Sequence, residues 1–290
     1  MPHSRSLTEK EMGAPRRLQR KINMLTAFSW LHAQIALAVM SGLTIGFCLG
    51  LVGGGGGILG VPLLLYFVKI DDPHVAIGST ALSVALIALF NLAGYARAGL
   101  VRWQVALIFA VCGAAGAFAG SALALHVNGR ALLLLLALMM LIVAARMLQG
   151  AHQQDAAALG SAARAAPPKP NKLATAGAAL ATGSVSGFFG IGGGFLIVPA
   201  LHFVAGISML EAVASSLLSV VAFGTTTAVN YALAGKVSLP LALALVGGGI
   251  AGGRLGMQLA QALRWKNGVL NVIFAGILLL VAAYIAYCSD

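Results

Sequence analysis

Charge is what this chain has least of. Only 9% of its 290 residues are charged, against about a quarter in a soluble domain. Acidic groups are scarcest: Glu9, Glu11, Asp71, Asp72, Asp155, Glu211 and Asp290 are the full set. Each lies in a tail or near the end of an apolar segment, so none sits deep in one. Cation pathways are usually lined with carboxylates, and that absence argues against one here. Cysteine is nearly missing too. Cys48, Cys112 and Cys288 fall in separate apolar segments without metal-ligand spacing, which excludes a disulfide framework and leaves small core residues. No His-Glu-x-x-His, paired Asp-rich motif or lysine after a glycine loop is present. Hydrolase, transferase and ATP-driven chemistry therefore have no residues to work with.

What is abundant is hydrocarbon. The chain is 60% hydrophobic, with a mean hydropathy of +0.95. Long apolar runs of this kind define an all-α polytopic membrane protein. The formal charge of +11 follows mainly from basic loops on the cytoplasmic side, and it also suits an anionic partner. Six basic side chains, Arg5, Lys10, Arg16, Arg17, Arg20 and Lys21, precede the first apolar run. That run, Met24 to Val52, is too long for a cleaved signal peptide, whose core is about 7–15 residues. Residues 1–23 thus read as a basic cytoplasmic tail.

Glycine is abundant as well, and it is placed in pairs. Gly46, Gly50, Gly53, Gly55, Gly56, Gly57 and Pro62 reappear 137 positions later as Gly183, Gly187, Gly190, Gly192, Gly193, Gly194 and Pro199. Ser79 matches Ser216 at the same spacing; Tyr95, Gly99 and Val101 then match Tyr231, Gly235 and Val237 at 136. The expected fold is two repeats of four transmembrane segments, residues 24–149 and 172–290, joined by a polar linker over 150–171. In the first repeat the segments are Met24 to Lys69, Val75 to Ala96, Trp103 to His126, and Ala131 to Leu148; in the second, Leu173 to Val204, Ala212 to Ala234, Leu239 to Leu263, and Val269 to Tyr287. The first segment of each repeat is interrupted by its glycine run. Asp72-Pro73 and Ser208-x-x-Glu211 carry helix-start signals, so capping is the expected work of both acids. Gly113, Gly116 and Gly120, with Gly249, Gly252 and Gly256, have the small-residue spacing of close helix packing.

Orientation follows from basic residues. With each interrupted segment crossing once, Arg97, Arg102, Arg146, Arg164, Lys169, Lys172 and Lys236 join the tail inside. Lys69, Arg130, Arg264 and Lys266 are left outside, with Arg254 in a span. With each interrupted segment folded as a hairpin, Lys69, Arg130 and Lys236 join the tail and the two sides come out almost equal. The positive-inside rule favours the first arrangement: eight crossings, both termini cytoplasmic and both repeats in one orientation. A hairpin would invert one repeat relative to the other.

Glycine runs at membrane depth are costly, because they break helices and lose backbone entropy. Interrupted helices in lipid are tolerated where the freed groups face protein or a solvated cavity, which in transporters is commonly the substrate site. Ile58 and Phe195 open short helices whose first-turn N–H groups and dipoles suit an anion. The candidate binding residues are Gly53, Gly54, Gly55, Gly56, Gly57, Gly190, Gly192, Gly193 and Gly194, with Pro62 and Pro199 as hinges. Hydroxyls and amides on the second segment of each repeat can donate to anion oxygens, above all Ser79, Ser216, Asn91 and Asn230. Ser83, Tyr95, Ser219, Thr226 and Tyr231 share that pattern, although Ser and Thr in membranes often bond within their own helix. Arg254 is an ionisable group within a span and so a candidate contact, or else a snorkelling cation. His32, His126 and His202 lie near segment ends and read as packed or interfacial.

Taken together, these motifs resemble the sulfite exporter TauE/SafE family, also called the toluene sulfonate uptake permease family. The features that carry the resemblance are Gly50 to Pro62 and Gly187 to Pro199, Gly78-Ser79-Thr80 and Ser215-Ser216-Leu217, and Gly99-Leu100-Val101 and Gly235-Lys236-Val237. Only the tail and the linker fall outside it. The resemblance implies a multi-pass protein of a bacterial inner membrane that transports small sulfur-containing anions such as sulfite, sulfoacetate or organosulfonates. Alternating access is the expected mechanism, with an anion channel as the alternative, and no cofactor or nucleic acid is implied. A homodimer and proton coupling are left open. With no carboxylate in the spans, coupling would have to use histidine, a segment-end acid or the substrate itself.

Overall fold

The computed structural model describes residues 16–139, 141–142 and 172–262. The first part of the tail, the 150–171 linker, the Val269–Tyr287 segment and Cys288 lie outside the described residues. Every described element is helical. The order is α1 (Arg16–Val52), a short segment α2, α3 (Pro73–Arg97), α4 (Trp103–Ala124), α5 (Gly129–Met139), α6 (Lys172–Phe189), α7 (Gly194–Ala205), α8 (Met209–Leu233) and α9 (Leu239–Ala262). Segment α2 is a 3-10 stretch over Gly54–Leu59, one α turn over Gly60–Pro62 and a π turn over Leu63–Phe67. Five stretches among the described residues are long and apolar enough to cross a membrane: Gln34–Val52, Pro73–Arg97, Trp103–Ala124, Leu210–Leu233 and Leu239–Ala262.

Both expected caps form. Asp72 accepts from the His74 amide at 2.9 Å, with Pro73 at the first helical position. Ser208 and Glu211 make a full capping box at the start of α8. Each satisfies N–H groups that would otherwise be orphaned at a helix start.

Small residues then set how the helices lie. Along α1 and α9, Gly42 faces Leu245, Gly46 faces Gly249 and Gly50 faces Gly253. The numbers rise together, so the two helices are parallel. Helix α3 joins them in the same sense, Ile87 on Gly249 and Asn91 on Gly253. On the other side α4 runs parallel to α6, with Gly113 on Gly183 and Ala117 on Gly187. Helix α8 is parallel to α4, since Phe223 meets Gly113 and Asn230 reaches Phe118 and Ser121. Between the groups the sense reverses: Gly78 of α3 touches Tyr231 of α8, while Ala81 and Ala85 touch Gly224. One group, α1, α3 and α9, therefore runs against the other, α4, α6 and α8.

That geometry corrects the orientation expected from charge. α1 and α6 run in opposite directions, as in the hairpin arrangement, and not in the same one. The positive-inside count misled because it weighs loops by side and is blind to a first segment that folds back along itself. Here both do so. Helix α1 reaches the level of Tyr95, whose hydroxyl donates to the Gly50 carbonyl at 2.8 Å. Segment α2 then returns along it, with Gly56 against Ile45 and Leu49 and Gly60 against Thr80. α6 descends to Gly190, which sits on Ile77, and α7 climbs back until Val198 lies beside Gly53.

A second correction concerns register. The Ser79 hydroxyl accepts from the Ser238 amide at 2.9 Å, and the Ser215 hydroxyl accepts from the Arg102 amide at 2.9 Å. Both partners in the second bond are displaced by 136 from those in the first. The hydroxyl that bonds as Ser79 does is thus Ser215, not Ser216.

Candidate functional site

The two turns meet at the centre of the bundle. Gly53 ends α1 with φ at 82°, and Gly193 opens α7 in the left-handed region at 66°. An L-residue is disfavoured at both. No side chain caps the start of either returning segment. The segments pass side by side in opposite senses: Gly53 lies by Val198, and Gly57 lies directly against the carbonyl of Ile191. Gly192 fits between Val84 of α3 and Val220 of α8. Absence of side chains here is a packing requirement, since a β-carbon at Gly57 would fall on backbone.

Hydroxyls stand around these turns. Ser216 Oγ borders Gly53 and donates to the Val213 carbonyl at 2.8 Å. Ser186 Oγ borders Gly193, and Thr80 borders Gly60. Ser186 and Thr80 are buried, and neither hydroxyl has a hydrogen-bond partner. Ser219 Oγ and Asn91 Nδ2 are in the same condition. A buried polar group left unpaired costs about 1–3 kcal/mol, so Ser186 and Thr80, each beside a returning segment, mark positions where a polar partner would be favourable.

The other expected residues divide. Asn91 packs on Gly253 between α3 and α9, away from the returning segments. Asn230 is fully occupied in structure: its Nδ2 donates to Ser121 Oγ at 2.6 Å and to the Phe118 carbonyl at 3.1 Å. Asn230→Ala should cost roughly 1–3 kcal/mol of stability by stranding those acceptors, measured as a lower unfolding midpoint in detergent with transport per folded molecule unchanged. Ser79 is spent on the α9 amide, as described. Ser83 donates to the Ser79 carbonyl, and Thr226 to the Ala222 carbonyl. Arg254 lies on the exposed outer stripe of α9 with Leu255, and is not brought to the glycine turns. Pro62 is buried at the junction of the α turn and the π turn; the side chains of Pro199, His32 and His202 lie outside the described part. His126 is exposed, its Nδ1 2.8 Å from the Ala122 carbonyl.

Ser186 had no prominence in the sequence, because Leu49 stands at its aligned position. The signal was local: a lone hydroxyl one helical turn before Gly190, where a helix is about to end. A groove of about 450 Å³ also opens between α4 and α6, lined by Leu123, Val185, Phe188 and their neighbours. Its one lining hydroxyl, Ser184, is bonded to the Leu180 carbonyl. Such a wall suits hydrocarbon and offers an anion nothing.

A bundle of antiparallel groups of apolar helices, with two backbone turns buried among unpaired hydroxyls, is an integral multi-pass membrane protein. Comparison with known sequences specifies it further. The chain belongs to the sulfite exporter TauE/SafE family, whose model matches residues 38–285. It is similar to a probable membrane transporter protein of Xylella fastidiosa (strain Temecula1), 42% identical over 263 residues, covering 88% of this chain and 96% of that one. A counterpart from strain 9a5c matches to the same degree. The probable membrane transporter protein YunE of Bacillus subtilis is 28% identical over 268 residues, 87% of this chain and 97% of its own. No solved structure matches. Family and relatives alike indicate a membrane transporter rather than an enzyme.

Proposed function

We propose that this chain is a secondary transporter exporting small sulfur-containing anions, such as sulfite, sulfoacetate or another organosulfonate, across a bacterial inner membrane. Its working parts are two inverted repeats of four segments, each with a first segment broken at a glycine-rich turn. The observation that carries the reading is the set of buried, partnerless hydroxyls, Thr80 and Ser186, beside the two returning segments. A sulfur oxyanion offers three oxygens to such donors, and the uncapped N-termini add partial positive charge without a competing side chain. The absence of a carboxylate from the spans keeps the site from repelling an anion. The family's description names sulfite, which supports that substrate class.

Alternating access suits this arrangement. Antiparallel groups related by an internal two-fold can rock about a central site, and the matched Ser79–Ser238 and Ser215–Arg102 bonds support that symmetry. The π turn after Pro62 offers a place where the backbone ladder is already loosened.

Purified protein in liposomes should carry radiolabelled sulfite or a sulfonate with saturable kinetics. Ser186→Ala and Thr80→Val should each raise the half-saturating concentration by about ten- to a hundredfold, the worth of one hydrogen bond of roughly 1.5–3 kcal/mol to a charged group. Absence of flux for every sulfur anion tried would reject the substrate class, and unitary current steps would replace the carrier with a channel.

A further inference from the structure

Outside the glycine turns, helix capping leaves part of one cluster of titratable groups unexplained. It lies where α3 begins. Asp72 accepts from the His74 amide through Oδ1 and from Lys236 Nζ through Oδ2, the latter at 2.7 Å. The same Oδ1 stands 3.6 Å from His74 Nδ1. The His74 side chain is 16% exposed, yet its Nε2 is sealed from solvent and has no partner. From the opposing group of helices, Tyr231 of α8 brings its ring to 6.3 Å from the imidazole. Tyr231 is fully buried, and its hydroxyl also lacks a partner. The fold does not demand this. Tyr95, 136 positions earlier, satisfies its hydroxyl on the Gly50 carbonyl, and Leu210 stands where a second His74 would be. The cluster exists once, on one side of a two-fold arrangement.

We propose that His74, oriented by Asp72 and roofed by Tyr231, is the proton station that couples transport to a pH gradient; this rests on the transport reading above. A proton on Nδ1 faces the Asp72 carboxylate, which leaves Nε2 as the free acceptor. The acid form of an oxyanion gives its O–H proton to Nε2. The imidazole becomes imidazolium, the anion gains one negative charge, and no other bond changes. The buried Tyr231 hydroxyl is the hydrogen-bond donor available to the oxygen so uncovered. Asp72 is ready to balance the imidazolium. Burial raises its carboxyl, but the Lys236 ammonium and the His74 amide outweigh that and hold it below the ordinary carboxylate range. Among the described residues, the other titratable or charged groups near this end include Lys69 and Asp71, preceding α3, His126 just after α4, and Arg130 on α5, whose Gly129 packs on Pro73.

The test uses the full chain in liposomes with radiolabelled sulfite. His74→Gln, shown to be folded by gel filtration in detergent, should lose net sulfite flux driven by a pH gradient. Tyr231→Phe should shift the pH profile of net flux. Gradient-driven flux in His74→Gln with the unchanged pH profile would overturn the station. If wild-type protein carries no sulfur anion at all, the transport reading fails separately. Spectra of ¹⁵N-histidine-labelled protein then decide the station alone. A His74 imidazole that changes charge between about pH 5 and 8, and responds to Asp72→Asn, supports it; one that stays in a single state across that window overturns it.

Discussion

Gly57→Val should yield a protein that inserts and folds but carries no sulfite. Gly57 has an ordinary backbone angle, so valine meets no conformational penalty there. Its new side chain would instead fall on the Ile191 carbonyl of the facing turn, with Val84 behind it. A flexible side chain could step aside. A carbonyl in a turn whose flanking residues, Gly190 and Gly192, hold φ of 66° and 71° cannot move without moving both. Forcing the returning segments apart costs about 1–3 kcal/mol as overpacking, tolerable for the fold but spent at the proposed substrate site. Sulfite flux per folded molecule, with folding checked by gel filtration in detergent, is the measurement. Gly57→Ala should fall between valine and wild type. Full flux in the valine variant would mean that the contact between the turns has no part in transport.

How much of this could be read from the chain differs by level. Helix starts were legible because capping is local: Asp72-Pro73 and Ser208-x-x-Glu211 need only three or four neighbouring residues to act. The packing glycines were legible for a similar reason. Gly113, Gly116 and Gly120 repeat at helical spacing, and each lies against backbone of α6 or a ring of α8. Helix direction was not, since it depends on whether α2 and α7 continue or turn back, and glycine permits either. The match proposed for Ser79 was off by one residue because serine occurs at both 215 and 216, and it is Ser215 that bonds as Ser79 does. Hydroxyls gave the least away. Asn91, Asn230, Ser186 and Thr80 look alike as polar residues in apolar runs. Only the fold separates Asn230, bonded across to α4, from Ser186 and Thr80, left unpaired beside the turns. His74 was hidden in the same way, behind a capping motif that fully accounts for its neighbours.

Two adjacent glycines on α9 should respond to the same substitution in opposite ways. Gly248 lies against α1, where a β-carbon would meet the Val39 carbonyl and the Leu43 amide. Gly247, one residue earlier, has nothing within 4 Å and is exposed on the outer face. Gly248→Leu must push apart the α1–α9 pair along its whole length, because Gly252 and Gly256 continue the same seam against Leu43 and Phe47. Membrane helices gain their association from this closeness, having no water to expel. The cost should reach about 3 kcal/mol or more, read as a large drop in unfolding midpoint and loss of the monodisperse peak. Gly247→Leu adds apolar surface towards lipid and removes a helix-weakening glycine, which is worth about 0.5–1 kcal/mol, so its midpoint should hold or rise. Equal losses from both would show that glycine in α9 serves backbone flexibility. Unequal losses of this sign would assign its role to contact, and with it the parallel seating of α1 on α9 that sets the two helix groups against each other.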